Sequence, residues 1–330
     1  MSHYRNFAGR IYGTLAPVAL LSLLLVVPIA CQKKQERIQI LVSPKGLTHS
    51  FWVTVKAGAD SAGREIGADI IWKGPAQETA IAEQVAIVED YINRGVQAIV
   101  IAATDSRALI PVLEKARARG IVVVTIDSGI ESDLPASYIA TNNVAAGEKA
   151  AEILAELTDS QGQVALLPFV PGAVSSIERE KGFRQGLARF PDMELVAVQY
   201  TQSDVATAMA VTEDILTAHT ELAGIFAANE AGAIGASGAI LARQLTDQVS
   251  LVAFDASPNE IDALESGVID ALVVQDPFLM GYLGVVTARM ALDKEKPDPQ
   301  FDTGVYIITR GNMNDSEIRR ILYPLGEPAQ

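Results

Sequence analysis

Along the chain, short apolar runs alternate with stretches in which apolar residues recur every three or four positions. The strand-like runs are IQILVS (38–43), ADIIW (68–72), AIVIAA (98–103) and IVVVTID (121–127). Helical spacing fills 50–67, 79–95 and 106–120, and each stretch closes near a glycine, Gly67, Gly95 or Gly120, where a left-handed C-cap is expected. From 138 the pattern restarts, with strands at 138–143, 163–169, 194–200, 224–229 and 249–255 and helices at 145–158, 176–189, 204–218, 231–243 and 258–266. A strand at 270–278, a helix at 279–293 and a strand at 303–310 follow. Nearly continuous Val/Ile runs suit parallel strands covered on both faces. The alternation predicts an α/β chain of two doubly wound parallel-sheet domains.

The strands end on residues that a core would not choose. The first exits through Lys45–His49, the third into Thr104 and Asp105, and the fourth at Asp127. In the second unit the exits are Asn229, Asp255 and Gln275. Open α/β sheets bind ligands outside the carboxyl ends of their strands, so two units facing across a cleft would aim these groups at one guest. The competing reading of each Asp is an N-cap for the next helix. Phe51 and Trp52 stand side by side at the start of the first helix, and neighbouring positions do not share a helix face. One ring is expected to pack inward while the other, or the edges of both, line the cleft, with Lys45, Thr48 and His49 on the rim. A solvent-exposed loop position is the alternative for His49. Trp72 reads as a cap over the core rather than a second stacking face.

Composition narrows the classes. The net charge of −14 over 330 residues excludes a nucleic-acid footprint and suits a neutral or cationic guest. The first 31 residues carry only Arg5 and Arg10 as charges, then an apolar run from Leu15 to Ala30, then Cys31, the only cysteine. This reads as a secretory signal. The small residue before Cys31 resembles a bacterial lipobox, with Pro28 where that pattern usually has Leu. The implied product is a lipoprotein anchored at Cys31, with residues 32–37 as a tether. An uncleaved anchor with a spare cysteine is the alternative. A lipidated Cys31 leaves no disulfide.

The motifs SFW (50–52), VVTID, IATNN, EREKGF, LTAH…IFAANE, VAFDASP and ALVVQ-P together resemble the ribose/galactose-type periplasmic substrate-binding proteins, the type 1 family related to LacI-type repressor cores. The resemblance runs from about residue 38 to 310. With a signal-like segment ahead of the core in place of a helix-turn-helix, the exported branch is the expectation. It implies two lobes joined by a three-segment hinge crossing near Ala140–Asn143, Val274–Pro277 and Phe301–Gly304. The lobes would be 38–141 with 276–301, and 142–275 with 302–330. Carried over, the ligand-binding set is His49, Phe51, Trp52, Asp127, Ser128, Asn143, Arg179, Asn229, Asp255 and Gln275. Three positions depart: His49 replaces Asn, Ser128 replaces Arg, and an aromatic expected near Ser203 is absent. These put ribose itself in doubt while keeping sugar or polyol binding.

The chemistry of the set fits hydroxyl recognition, because carboxylates accept, a guanidinium donates in pairs and amides do both. No HExxH, P-loop or G-x-S-x-G is present, and GAIGASG (232–238) lacks dinucleotide spacing, so neither an enzyme nor a cofactor or metal is expected. A glycosidase pair of Asp127 and Asp255 is the enzymatic alternative. The expectation is a monomeric periplasmic or cell-surface lipoprotein that delivers a sugar or polyol to an ABC permease. The alternative partner is a receptor kinase of a sensing or chemotaxis system.

Overall fold

A computed structural model describes residues 37–326, which form one compact unit from Arg37 onward. The signal-like segment and Cys31 lie outside the described residues. The first half contains β1 (Gln39–Ser43), α1 (Ser50–Ile66), β2 (Asp69–Trp72), α2 (Ile81–Arg94), β3 (Ala98–Ile101), α3 (Ile110–Ala118), β4 (Val122–Ile126) and β5 (Tyr138–Ala140). The second continues with α4 (Asn143–Leu157), β6 (Gly162–Leu167), α5 (Val174–Leu187), β7 (Met193–Val198), α6 (Val205–Ala218), β8 (Leu222–Ala227), α7 (Glu230–Ala242), β9 (Ser250–Phe254), α8 (Pro258–Ser266) and β10 (Ala271–Val274). The chain closes with α9 (Pro277–Leu292), β11 (Gln300–Asp302), β12 (Tyr306–Thr309) and α10 (Ser316–Leu322).

Two six-stranded sheets result, in the orders β11-β5-β4-β3-β1-β2 and β12-β10-β9-β8-β6-β7. Every pair in the first is parallel. The second departs from the all-parallel expectation, because β12 runs antiparallel to β10 along its edge. β12 enters its sheet from β11 of the first sheet through a three-residue crossing, whereas each parallel strand of the second sheet follows a helix packed on it. The helix expected over 106–120 forms only from Ile110, because Asp105 Oδ1 accepts from the amides of Arg107 and Ala108 and turns the chain first.

Both sheets are wound on both faces, and successive strand residues show it. Ile40 and Val42 pack with α1 and α9, while Leu41 between them packs with α2 and α3 residues. In the second sheet Val252 and Phe254 face the α4/α5 side, while Leu251 and Ala253 face the α7/α8 side. Glycines let one helix pair in each lobe touch backbone to backbone. A Cβ on Gly58 of α1 would fall 2.0 Å from Phe278 O of α9, and one on Gly182 of α5 would fall 2.0 Å from Val144 O of α4.

The chain passes between sheets three times, after β5, β10 and β11. Two of these passages are tied together. Thr303 N donates to Ala140 O at 3.0 Å, Asn142 N donates to Asp302 Oδ1 at 3.0 Å, and Thr141 Oγ1 donates to Gly304 O at 3.3 Å. Gly304 sits at φ 73°, a left-handed turn that glycine adopts without a Cβ clash.

Candidate functional site

Eight of the ten sequence-selected residues come together. His49, Phe51, Trp52, Asp127, Arg179, Asn229, Asp255 and Gln275 line one cavity, together with Lys45, Glu78 and Phe169. The first sheet and its loops supply Lys45 through Asp127, and the second supplies Phe169 through Gln275.

Asp127 and Asp255 occupy matching places, each directly after its strand. Both adopt left-handed backbone, φ 55° and 87°, which turns the carboxylates off the strand axis. Asp is among the few residues that visit this region at modest cost. Neither is the N-cap of a following helix, so the capping alternative does not describe them. Asn229 does both jobs: Oδ1 caps α7 by accepting from Gly232 N, and Nδ2 donates to Ser203 Oγ at 2.7 Å.

Lys45 is the principal correction. It is not on the rim but 3% exposed, with Nζ 2.8 Å from Asp127 Oδ2 and 3.0 Å from Ser175 Oγ of α5. The ammonium also lies 5.0 Å from the Phe169 ring centre and 5.7 Å from that of Trp52. Thr48 is exposed, as a rim position should be. His49 is not a free loop histidine: its side chain is 12% exposed, Nδ1 is 3.5 Å from Glu78 Oε1 and Nε2 is 3.3 Å from Ser203 O. Burial alone would lower its pKa, but the hydrogen bond to Glu78 and the charges of Glu78, Glu230 and Asp255 raise it to about 9. That shift favours the cationic form of the ring at neutral pH. Glu78 is pulled in opposite directions: burial favours its neutral form, while Lys45, His49 and Ser203 hold it ionised and well below the usual carboxylate range.

Both aromatics of the first helix serve the cavity. Trp52 is 2% exposed and donates Nε1–H to Glu78 Oε1 at 2.9 Å, and Phe51 meets its ring edge-on at 4.9 Å. A third ring in the lining, Phe169, lies just beyond β6. Ser203 is buried and donates to Glu78 Oε2 at 2.8 Å, an interlobe hydrogen bond. Trp72 is half-buried against the first-lobe core, away from the cavity lining.

Arg179 is fully buried and spread over the Phe254 ring at 3.6 Å. Its Nε donates to Asn143 Oδ1 at 2.8 Å, and Nη1 donates to Ala228 O at 2.8 Å. Burial lowers its pKa, against the carboxylates of Asp255, Asp127 and Glu78. Burial pushes the Asp255 carboxyl up, while Arg179 and the 2.7 Å bond from Gln275 Nε2 pull it back. Gln275 Oε1 is buried with no hydrogen-bond partner among the described residues, an acceptor available inside the cavity.

Asn143 and Ser128 do not line the cavity. Asn143 stands behind Arg179 and fixes its guanidinium, with Nδ2 donating to Thr141 O. Ser128 Oγ accepts from Ser175 N across the lobes at 3.3 Å. Glu78, Phe169 and the inward position of Lys45 were missed. The strand-end rule reaches the first two when applied to β2 and β6, whose exits lead into the loops that carry them.

The cavity thus holds three cations, Lys45, His49 and Arg179, among three carboxylates, Glu78, Asp127 and Asp255, under three aromatic rings. A guest with hydroxyls and an apolar C–H face matches its donors, acceptors and rings. Among the described residues no three His, Cys, Asp or Glu are grouped to hold a metal.

A family model described as periplasmic binding protein domain matches residues 40–296. The chain is 30% identical over 275 residues to the ribose import binding protein of Haemophilus influenzae, covering 83% of this chain and 92% of that protein. An ABC transporter solute-binding protein from Agrobacterium vitis with bound D-fucose is similar at TM-score 0.84 and 38% identity, over 86% of this chain and 100% of that one. A carbohydrate transporter solute-binding protein from Agrobacterium radiobacter in complex with D-arabinose gives TM-score 0.84 and 33% identity, over 87% and 99%.

Proposed function

We infer the function from one premise: the chain belongs to the periplasmic binding protein domain family. It is an extracytoplasmic solute-binding protein that captures a neutral sugar or polyol between two lobes and delivers it to an ABC-type importer. The observation that carries the guest's chemistry is the charge-balanced, ring-walled cavity at the carboxyl ends of both sheets. The relatives described above are import and transport proteins, which supports delivery to an importer over a sensing receptor. The same relatives support a binder rather than a glycosidase.

The reading extends to parts that rest on sequence or topology. Residues 38–141 with 276–301 form one moving body and 142–275 with 302–330 the other. The chain acts as a monomer tethered to a membrane through a lipid on Cys31. Its ligand contacts are the eight cavity residues of the sequence set, with Lys45, Glu78 and Phe169 added and with Ser128 and Asn143 as supports.

Calorimetry with D-ribose, D-fucose, D-arabinose and xylitol tests the reading, alongside mass spectrometry of any small molecule that copurifies. At least one neutral sugar or polyol is expected to bind with a micromolar dissociation constant, about −8 kcal/mol. Binding of none of them, or cleavage of an offered disaccharide, would overturn it.

A further inference from the structure

The first helix takes its cap from the other lobe. Five helices, α4, α6, α7, α8 and α9, begin with a side chain of their own N-cap residue accepting from a first-turn amide. Helix α1 does not: His49 in the N-cap position makes no such bond, and the first turn carries no acid. Its leading amides go to Glu230, the first residue of α7. Ser50 N donates to Glu230 Oε1 at 3.0 Å and Phe51 N donates to Oε2 at 3.1 Å. Glu230 is 6% exposed, and its own backbone N–H donates to Asp255 Oδ2 at 3.3 Å.

One residue therefore joins two walls of the cavity that belong to opposite lobes, Phe51 and Asp255. We propose that Glu230 is an interlobe clasp, a positioning residue that holds Phe51 against Asp255 in the closed form and slows reopening. The proposal rests on the reading of the cavity as the sugar site. A carboxylate on two backbone amides at a helix N-terminus combines charge-assisted hydrogen bonds with a favourable dipole, and burial strengthens both. When the lobes part, the amides and the carboxylate each return to water, so the contact favours only the closed form. Burial works against the ionised carboxyl, and Asp255 adds to that; the Ser50 and Phe51 amides and the His49 cation oppose it. Glu260 of α8 is the further acid in this neighbourhood, buried and itself influenced by Glu230 and Asp255.

The test closes the lobes without any sugar. A Cβ on Gly172 would lie 3.6 Å from Asp105 Cβ of the opposite lobe, within the range of a disulfide. The full-length chain carrying Asp105→Cys and Gly172→Cys is oxidised, and amide hydrogen exchange is followed with Glu230 intact, Glu230→Gln and Glu230→Ala. Glu230→Ala is expected to speed exchange at Ser50 and Phe51 by about tenfold while α7 keeps its protection. Glu230→Gln, which retains an acceptor oxygen, is expected to give a smaller increase. Unchanged exchange at Ser50 and Phe51 would overturn the clasp, and so would an equal rise throughout α7, which would mark a local structural role. In the unlocked chain, Glu230→Ala is expected to release D-fucose, or the tightest sugar of the panel, about tenfold faster with little change in association. A panel in which nothing binds would overturn the sugar reading alone, because the exchange result needs no ligand.

Discussion

Lys45 Nζ lies 2.8 Å from Asp127 Oδ2 with the two side chains 4% and 3% exposed. Removing one partner of such a pair strands the other charge in a low-dielectric site, which typically costs about 3–5 kcal/mol. Lys45→Met is therefore expected to destabilise the fold by that order and to lose sugar binding. Urea denaturation and calorimetry check both. Unchanged stability would mean that the pair is solvated in solution.

Asp255→Asn separates binding from folding. Asn tolerates the left-handed backbone at this position and still accepts from Gln275, so the fold should survive with a loss of about 1 kcal/mol. The lost carboxylate oxygen is expected to weaken sugar affinity by at least about 2 kcal/mol. Calorimetry showing native affinity would remove Asp255 from the site.

His49 gives a pH dependence of defined sign. Its pKa rises from 6.5 in the unfolded chain to about 9 in the folded one. The stability it contributes is therefore whole below pH 6.5 and is lost as pH climbs through about 9. The difference in unfolding free energy between the native chain and His49→Asn should shrink by up to about 3 kcal/mol across that window. A difference that is flat with pH would show that folding leaves the imidazole's pKa where it is in the unfolded chain.

Gly182→Ala tests the scaffold beneath Arg179. The added Cβ would meet Val144 O at 2.0 Å, so α4 and α5 must separate. Overpacking of this kind costs about 1–3 kcal/mol. Because Asn143 of α4 holds Arg179 of α5, sugar affinity is expected to fall with stability. Loss of stability with unchanged affinity would uncouple the crossing from the site.

The residues most legible in the sequence were those at an abrupt end of burial. Asp127 and Asp255 follow continuous apolar strands, so their polarity stands out against what precedes them. Glu78 has no such contrast, because it sits in the polar loop between β2 and α2. Its importance comes from Trp52 and Ser203, 26 and 125 residues away in sequence. Phe169 lies just past the exit of β6, where the strand-end rule applies, but its apolar side chain does not stand out from the strand it follows. Lysine is seldom fully buried, so the position of Lys45 had to come from its partners rather than its type. In the fold, β11 escaped notice because its three residues are all exposed and carry no apolar pattern. Helix α10 is short and rich in charge, and only its contacts with the second-lobe core identify it.

The burial of the cavity walls has a kinetic consequence. Trp52, Arg179 and Gln275 are each 2% exposed, Asp127 3% and Asp255 8%, so a guest held among them would meet little solvent while the lobes stay together. On the proposed function, its residence time would follow how often the lobes part as well as how strongly each group grips it. Unloading becomes a mechanical task for the importer, which must pry the lobes apart rather than compete for the sugar.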